Sequence, residues 1–294
     1  MKIGAILPMA DVDVPGADVS WPTLRSFARA CDDGGLDSVW VFDHFYYDPG
    51  EGKPIEGMHE AWTVLVAAAA VTERVQLGSI VMCNTFRHPG LLAKMAATAD
   101  EVSDGRLLLG IGAGWHDAEY DAFGFPKDHR VGRLEETLKV LRPLLDGERV
   151  TFDGAYVSLD EAVLAPAPRH RVPILVAAGA PRMLALTATH ADAWNTAWYG
   201  EPNDQLRSEL AALDDALAAA GRDPSTLERT VGVRFAGPEA GPSDDEDLFR
   251  GSVDELAAVL DEFEALGADH LIVGLEPIVP SSLEHLLAAM ARRG

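Results

Sequence analysis

The feature that most constrains the fold is a regular alternation of short apolar segments with amphipathic helical segments along the whole chain. Eight runs rich in apolar and β-branched residues are predicted strands: Lys2–Leu7, Ser38–Phe42, Val75–Met82, Arg106–Ile111, Val172–Ala177, Ala193–Asn195, Val231–Phe235 and His270–Val273. Helical periodicity lies between them, as in Leu24, Phe27, Ala28 and Cys31, which recur at spacings of three and four. Eight such units predict an α/β fold, a closed parallel (β/α)8 or TIM barrel.

A doubly wound open sheet would also alternate strands and helices. That architecture usually carries a glycine-rich fingerprint in its first strand–helix turn, and residues 8–22 have none. The length of 294 residues fits one α/β barrel. We therefore predict a single domain over residues 1–294, with an insertion at about 146–171 that contains a hairpin-like segment, Arg149–Ser158.

Two long connections point to the functional face of this barrel. Residues 45–58 and 112–130 follow predicted strand ends, so they are expected as insertions at the carboxyl-terminal face, where barrels build their active sites. The third long connection, residues 146–171, follows a helix and precedes the fifth strand. It is predicted to flank the site.

Charge and cysteine content restrict which partners the protein can bind and which cellular compartment it is expected to occupy. Lys and Arg number 24 against 47 Asp and Glu, a net charge of −23, and such a surface repels nucleic acids and anionic membranes. No apolar run is long enough to span a membrane, and the N-terminus lacks the pattern of a signal peptide. The two cysteines, Cys31 and Cys83, are far apart and form no CxxC motif. We expect a reduced, cytoplasmic protein without structural zinc.

An acid and an imidazole follow the second predicted strand. Asp43 and His44 stand where a barrel opens, a position at which catalytic groups are common. An imidazole beside a carboxylate can act as a general acid or base. In the structural alternative, Asp43 caps the strand end and His44 faces solvent, and the sequence leaves both interpretations open.

Small residues follow the fourth and fifth strands. Gly110, Gly112 and Gly114 alternate along the chain, which leaves one face of the backbone bare for a flat ring or a phosphate, although a tight turn explains the pattern equally well. The segment Ala178–Arg182 enters a helix through small residues. Bare amides at a helix N-terminus favour an anion, with Arg182 as a counter-charge.

Four segments in this order, DSVWVFDHF, LGSIVMCNTFRHP, GRLLLGIGAGWHDAEYDAFG and PILVAAGAPRML, resemble the luciferase-like monooxygenase family. The resemblance extends from Ile3 to about Met290, and members of this family use reduced FMN or the deazaflavin coenzyme F420. It implies a flavin- or F420-dependent oxidoreductase or monooxygenase that acts on a small organic substrate by hydride or oxygen transfer. The compact length favours F420, with FMN as the alternative. A separate reductase that supplies reduced cofactor is a further implied partner.

The resemblance also implies roles for individual residues. Asp43 and His44 are the implied catalytic pair. The implied cofactor contacts lie at the ends of strands two to five: Asp43, Ser79, Ile80, Val81, Asn84, Gly112, Gly114, Ala178, Gly179 and Ala180. A cis peptide is implied at Ile80–Val81. The implied substrate pocket contains Phe45, Trp115 and Glu119. Related sugar-phosphate dehydrogenases carry a Glu at the place of Trp115, which argues against sugar-phosphate oxidation here.

The sequence also bears on two other function classes and on assembly. A metal-dependent barrel hydrolase would draw its ligands from Asp43, His44, His59 and Glu60, but the fourth, fifth and seventh strands end in Gly, Ala and Phe, and no metal site is predicted. The second alternative is a non-catalytic flavin-binding protein. Related proteins dimerise through helices near the Ala67–Ala70 run, so a homodimer is predicted, with packing on the chain's own barrel as the alternative.

Overall fold

Eight parallel strands form a closed ring in the computed structural model, which describes residues 1–14, 19–47, 52 and 54–293. The barrel strands are β1 Lys2–Ile6, β2 Ser38–Val41, β3 Gln76–Ser79, β4 Leu107–Gly112, β5 Ile174–Ala177, β6 Ala193–Tyr199, β7 Glu228–Ala236 and β8 His270–Glu276. Each strand pairs in parallel with its neighbours, and the pairings of β4 with β5 and of β8 with β1 complete the ring. The predicted (β/α)8 barrel is confirmed, with all eight strands at their predicted places.

The third predicted strand is shorter than the sequence indicated. Sequence patterning predicted one strand over Val75–Met82, whereas β3 ends at Ser79. The strand is interrupted at residues 80–81, and Met82–Cys83 then pairs with β4 as a separate short strand. This interruption lies at the mouth of the barrel, next to the ends of β2 and β4.

Helices surround the barrel and follow its strands. Within the described residues the helices are α1 Trp21–Gly34, α2 Ala61–Ala69, α3 Pro89–Ser103, α4 Asp117–Phe123, α5 Arg130–Leu145, α6 Pro181–His190, α7 Asp204–Ala219, α8 Val253–Ala265 and α9 Pro280–Met290. Of these, α4 is an extra helix inside the connection from β4 to α5. The start of α8 is fixed by a capping box between Ser252 and Glu255, which satisfies two backbone amides. No helix in the described part of the chain combines the length and apolar character needed to cross a membrane.

The long connections contain short antiparallel pairs. Val150–Asp153 pairs with Ser158–Ala162, which places a hairpin in the connection before β5. Glu136 of α5 accepts hydrogen bonds from the backbone amides of the hairpin turn at 2.8, 2.8 and 2.9 Å, so the turn is held against α5. In the connection after β2, Tyr46–Tyr47 pairs with Glu56–Gly57. Residues 48–51 and 53 of this connection, which was predicted to lie at the carboxyl-terminal face, are outside the described residues.

The amino-terminal end of the barrel contains a buried polar chain. The fully buried His270 lies with Nε2 2.7 Å from Ser38 Oγ and Nδ1 3.1 Å from Glu228 Oε1. Lys2 Nζ donates to the same carboxylate oxygen at 3.1 Å. Burial disfavours the charged carboxylate, but His270 and Lys2 outweigh it and lower the pKa of Glu228 to about 2. Because these hydrogen-bonded side chains lie at the start of β7 and β8, they stabilise the end of the barrel opposite the candidate site.

The lowered pKa of Glu228 predicts a specific pH dependence of stability. The ionised Glu228 carboxylate contributes to the free energy of unfolding above its ordinary pKa of 4.5. This contribution is lost as the pH falls toward about 2. Glu228→Gln should lower the free energy of unfolding at neutral pH by about 1–2 kcal/mol, less than the full shift because part of the side chain is screened by solvent. Urea titrations at pH 7 and pH 3 measure this, and the gap between variant and wild type should shrink at pH 3. Glu262→Gln, an exposed control on α8, should change neither value; equal effects of the two substitutions would contradict the assignment.

Candidate active site

A pocket of about 280 Å³ opens at the carboxyl ends of β2 to β5. Its apolar wall includes Phe42, Phe86, Ala177 and Met183. Many of the predicted site residues line it: Asp43, His44, Ile80, Val81, Gly112, Gly114, Trp115 and Glu119. Closure of the barrel brings these residues together, because the carboxyl ends of parallel strands share one rim.

The imidazole of His44 is held by a buried carboxylate from α4. His44 Nδ1 lies 2.8 Å from Glu119 Oε2, and only 1% of the Glu119 side chain is exposed. Glu119 Oε1 also accepts from the backbone amides of Phe45 and Tyr46. Burial disfavours its charged form, but the hydrogen bonds from His44 and the two amides outweigh burial and lower the pKa of Glu119.

An ionised Glu119 fixes the tautomer of its partner. A carboxylate only accepts hydrogen bonds, so Nδ1 of His44 carries the proton and Nε2 is the nitrogen that can take up another. Among the described residues, no hydrogen-bond partner engages Nε2. The sequence placed Glu119 in the substrate pocket and paired His44 with Asp43. In the structure the carboxylate that contacts the imidazole is Glu119, 75 residues away along the chain, while Arg87 binds Asp43.

Asp43 is engaged by an arginine that the sequence analysis did not single out. Arg87 Nη1 donates to Asp43 Oδ2 at 2.6 Å and Nη2 to Oδ1 at 3.0 Å, while the amide of Cys83 donates to Oδ2 at 2.8 Å. Burial disfavours the guanidinium charge, but Asp43 and Glu60 outweigh it and raise the pKa of Arg87. Both Asp43 oxygens therefore bind the segment after β3, and this carboxylate joins β2 to the pocket wall.

The residues after β3 divide between the pocket and the barrel wall. The Ile80–Val81 peptide is cis, as the resemblance implied, and both side chains line the pocket. Ser79 is fully buried, and its hydroxyl exchanges hydrogen bonds with the amide and carbonyl of Gly110 at 3.0 and 2.9 Å. It is therefore absent from the pocket wall. Asn84 is also buried outside that wall, and its Oδ1 has no hydrogen-bond partner.

The glycines after β4 are required by close packing, because a side chain at either position would collide with its neighbours. A Cβ on Gly112 would lie 2.5 Å from Val81 Cγ2. Gly114 has a φ of +80°, and a Cβ there would collide with the hydroxyl of Tyr120. The hydroxyl of Tyr120 in turn contacts Cys83 Sγ at 3.0 Å. Both glycines still line the pocket, so their bare backbone forms part of its surface.

The small residues after β5 are followed by an arginine that lines a second, polar cleft. Ala178 is buried, whereas Gly179 and Ala180 are exposed, and a Cβ on Gly179 would meet nothing within 4 Å. Arg182, in the first turn of α6, lines a cleft of about 710 Å³. The ionisable residues of this cleft are Lys127, His129, Arg130, Lys139 and Arg182, with Asp117, Glu135 and Glu136.

This cleft differs in charge from the rest of the chain. Its four Lys and Arg side chains outnumber its three carboxylates, although the whole chain has 24 basic against 47 acidic residues. Hydrogen bonds from Lys139 and Arg182 lower the pKa of Glu135 to about 2. The sequence analysis found Arg182 through the helix start, but Lys127, Arg130 and Lys139 come from the β4–α5 connection and from α5, and no local motif marks them.

Aromatic side chains shape the entrance to the His44 pocket. Trp115 is 62% exposed, and its ring meets the His44 ring edge-on at 5.6 Å between centroids. Phe45 packs against Phe86 and Phe123 at centroid distances of 4.8 and 4.6 Å. Phe45 therefore supports the entrance from behind and does not line the pocket, which differs from its predicted place. Among the described residues, no group of three or more His, Cys, Asp or Glu side chains is placed to hold a metal ion.

Comparisons with known proteins agree with this geometry. A family model described as luciferase-like monooxygenase matches residues 1–248. An F420-dependent glucose-6-phosphate dehydrogenase of Kineococcus radiotolerans is 36% identical over 220 residues, which cover 72% of this chain and 63% of that protein. The match thus spans just under two thirds of the length of this curated relative.

Solved structures share the fold over nearly the whole chain. A monooxygenase from Streptomyces bottropensis is 25% identical with a TM-score of 0.79, covering 99% of this chain and 98% of that one. The coenzyme F420-dependent tetrahydromethanopterin reductase of Methanopyrus kandleri is 17% identical with a TM-score of 0.78, covering 99% and 97%. The second likeness concerns the fold alone.

The buried Asp43–Arg87 pair predicts a large effect on stability. Removing one partner leaves the other charge buried without compensation, which typically costs about 3–5 kcal/mol. Arg87→Ala should therefore lower the free energy of unfolding by about 3 kcal/mol, measured by urea titration. Arg169→Ala, which removes the exposed pair with Glu101, is the matched control and should cost under about 1 kcal/mol. Similar losses in the two variants would show that the Asp43–Arg87 pair stabilises the fold no more than an exposed ion pair does.

Proposed function

The chain belongs to the luciferase-like monooxygenase family, and we propose that it is an F420-dependent oxidoreductase that transfers hydride between the deazaflavin ring and a small organic substrate. The observation that carries the proposal is His44, which lines the pocket with Nδ1 bound to the buried Glu119. Support for F420 over FMN comes from the dehydrogenase of Kineococcus radiotolerans, whose name specifies F420.

The residues present fit a flat ring that carries a phosphorylated side chain. Ile80 and Val81 offer an apolar wall for a ring, and Gly112 and Gly114 leave backbone accessible beside it. Gly179 stands before the N-terminus of α6 with open space above it, where helix amides favour an anion. The cleft beside Arg182 gathers basic side chains in an acidic chain. In this proposal Asp43 and Asn84 support the ring pocket, and Ala178, Gly179 and Ala180 receive the phosphate.

The chemistry divides between the cofactor and the imidazole. When bound, F420 supplies a ring that carries hydride. His44 handles the proton: Nε2 accepts it from a substrate hydroxyl during oxidation and returns it to a carbonyl oxygen during reduction. Glu119 keeps Nδ1 protonated and stabilises the imidazolium that forms, so it is a positioning residue. Trp115 stands over the entrance, where it covers the reacting end of the substrate.

The substrate proposed here is not a sugar phosphate. The family resemblance implies a Glu at the place of Trp115 in the related sugar-phosphate dehydrogenases, and an indole cannot replace its acid function. Secondary alcohols and ketones of modest size match the acid–base group that the pocket provides. The chain thus shares a cofactor with these relatives in this proposal, and differs from them in substrate.

We also propose the assembly and setting that the sequence predicted. The protein is a single domain with the 146–171 segment as an insertion, and works in the cytoplasm, with a separate reductase as partner where reduced cofactor is required. Thr63, Ala67 and Ala70 of the α2 region recur at helical spacing and are at least partly accessible, which supports close approach of a second copy.

Sedimentation should give a homodimer for the wild type, and Ala67→Arg should give a monomer. A monomeric wild type would contradict the proposed dimer.

Loss of the imidazole should affect turnover far more than binding. His44→Ala is expected to reduce F420-linked turnover of secondary alcohols by about 100- to 10,000-fold, the range that general acid–base catalysis supplies. Its affinity for F420, measured by fluorescence titration, should change less than about threefold. His88→Asn is the matched control, because His88 is exposed and Asn keeps its capping role at α3. Unchanged turnover in His44→Ala would leave His44 with a structural role only.

Cofactor binding should depend on the open backbone before α6. Gly179→Glu places an acidic side chain in the proposed phosphate site, so it should weaken binding of F420 at least about tenfold more than binding of its dephosphorylated core. Gly241→Glu is a suitable control because Gly241 also has open space around it. Titrations of the wild type with F420 and FMN are expected to favour F420. Tighter binding of FMN would move the chain to the flavin-dependent members, and binding of neither would refute the redox proposal.

A further inference from the structure

A second cavity, of about 320 Å³, opens at the same end of the barrel as the His44 pocket. The two cavities share one wall, because Phe42 lines both. The second lies at the ends of β1, β6, β7 and β8, and its other principal residues are Ile6, Asp13, Trp198, Arg234 and Glu276. The mouth of the barrel thus contains two adjoining compartments, and the proposed catalytic residues occupy only the first.

The guanidinium in the second cavity is already neutralised by the protein. Arg234 Nε and Nη2 donate to Glu276 Oε1 at 2.7 and 2.5 Å, and Nη1 donates to Asp245 Oδ2 at 2.5 Å. Each of its three nitrogens therefore has a carboxylate partner. Two carboxylates on three of its five N–H groups offset the charge of the guanidinium, which weakens its attraction for a further phosphate or carboxylate.

The carboxylates of the cavity each keep one oxygen available. Asp13 Oδ2 accepts from the amides of Met9 and Ala10 at 2.7 Å each. Both bonds from Arg234 to Glu276 end on Oε1. In the part of the chain that the structure describes, Asp13 Oδ1 and Glu276 Oε2 have no hydrogen-bond partner. The two carboxylates in the cavity lining therefore present acceptors to a ligand.

We propose that this cavity receives the distal end of the substrate and selects a hydrogen-bond-donating group, hydroxyl or ammonium, which Asp13 and Glu276 bind. The proposal rests on the proposed function, since it takes the His44 pocket as the reacting end. Phe42 and Trp198 supply apolar contact for the carbon skeleton between the two ends. Asp13 is thus a specificity-determining residue, on the opposite side of Phe42 from His44.

The surroundings of Asp13 favour a cation among the possible donors. Burial, together with the nearby carboxylates of Glu56 and Glu276, raises the pKa of Asp13 to about 6. An ammonium group beside Asp13 would relieve this repulsion, whereas a neutral hydroxyl gains only the hydrogen bond. A phosphate or carboxylate would meet like charge in the same place. The expected order of affinity at pH 8 is therefore amine, then alcohol, then acid.

Three probes that share a cyclohexyl ring and differ in their polar group test this order. Cyclohexylamine, cyclohexanol and cyclohexanecarboxylate are titrated calorimetrically at pH 8 into the wild type, with and without bound F420. We expect the amine to bind at least tenfold more tightly than the carboxylate, with the alcohol between them. In Asp13→Asn, whose amide oxygen can still accept from Met9 and Ala10, the amine and the alcohol should differ less than threefold. Asp11→Asn, the same charge change two residues earlier outside the cavity lining, should preserve the wild-type order.

The outcomes separate this proposal from the proposed function. A carboxylate that binds as tightly as either donor, an order that Asp13→Asn leaves unchanged, or no binding of any probe at tens of millimolar would overturn it. Because the cavity is formed by the protein alone, the order should also hold without cofactor. Failure to bind F420 would instead contradict the proposed function, and the titrations without F420 would still decide the selectivity of the cavity.

Discussion

Closure of the parallel sheet is the constraint on which the rest of the structure depends. Once β8 pairs with β1 and β4 with β5, every strand ends on one rim, and residues distant in sequence become neighbours there. The His44 pocket uses β2 to β5, and the second cavity uses β1 and β6 to β8. Phe42 stands between them. An open sheet would separate these two groups of strand ends at opposite edges.

Buried charges then fix the parts of this rim that the barrel alone does not position. Asp43 draws the segment after β3 onto β2 through Arg87 and the Cys83 amide. Glu119 ties α4 to the end of β2 through His44 and two backbone amides. A buried carboxylate is tolerated only when hydrogen-bond donors or opposite charges satisfy it. Asp43 and Glu119 therefore each hold the loop to which they bond in one position. The pocket is consequently preformed by the protein's own side chains.

Periodicity was sufficient to predict the barrel, and strand ends were sufficient to locate the pocket. The pairing of side chains was not, because local patterns carry no information about contacts across 75 residues. Asp43 and His44 are adjacent in sequence and both line the pocket, yet Arg87 and the Cys83 amide bind Asp43, and Glu119 from α4 binds His44. Ser79 bonds to Gly110 in the β3–β4 wall, while the next two residues, Ile80 and Val81, line the pocket. The second cavity escaped notice because Asp13, Arg234 and Glu276 belong to three separate connections and strands.

In the proposed complex a deazaflavin ring binds beside an imidazole whose Nε2 exchanges protons with the substrate. A crystal structure of the complex with F420 tests it most directly. We expect the ring to lie against Ile80 and Val81 with its reactive edge toward His44, the His44–Glu119 contact to be intact, and the phosphate to lie at the N-terminus of α6. A ring bound away from His44, or a His44 that turns from Glu119 to leave the pocket, would contradict it.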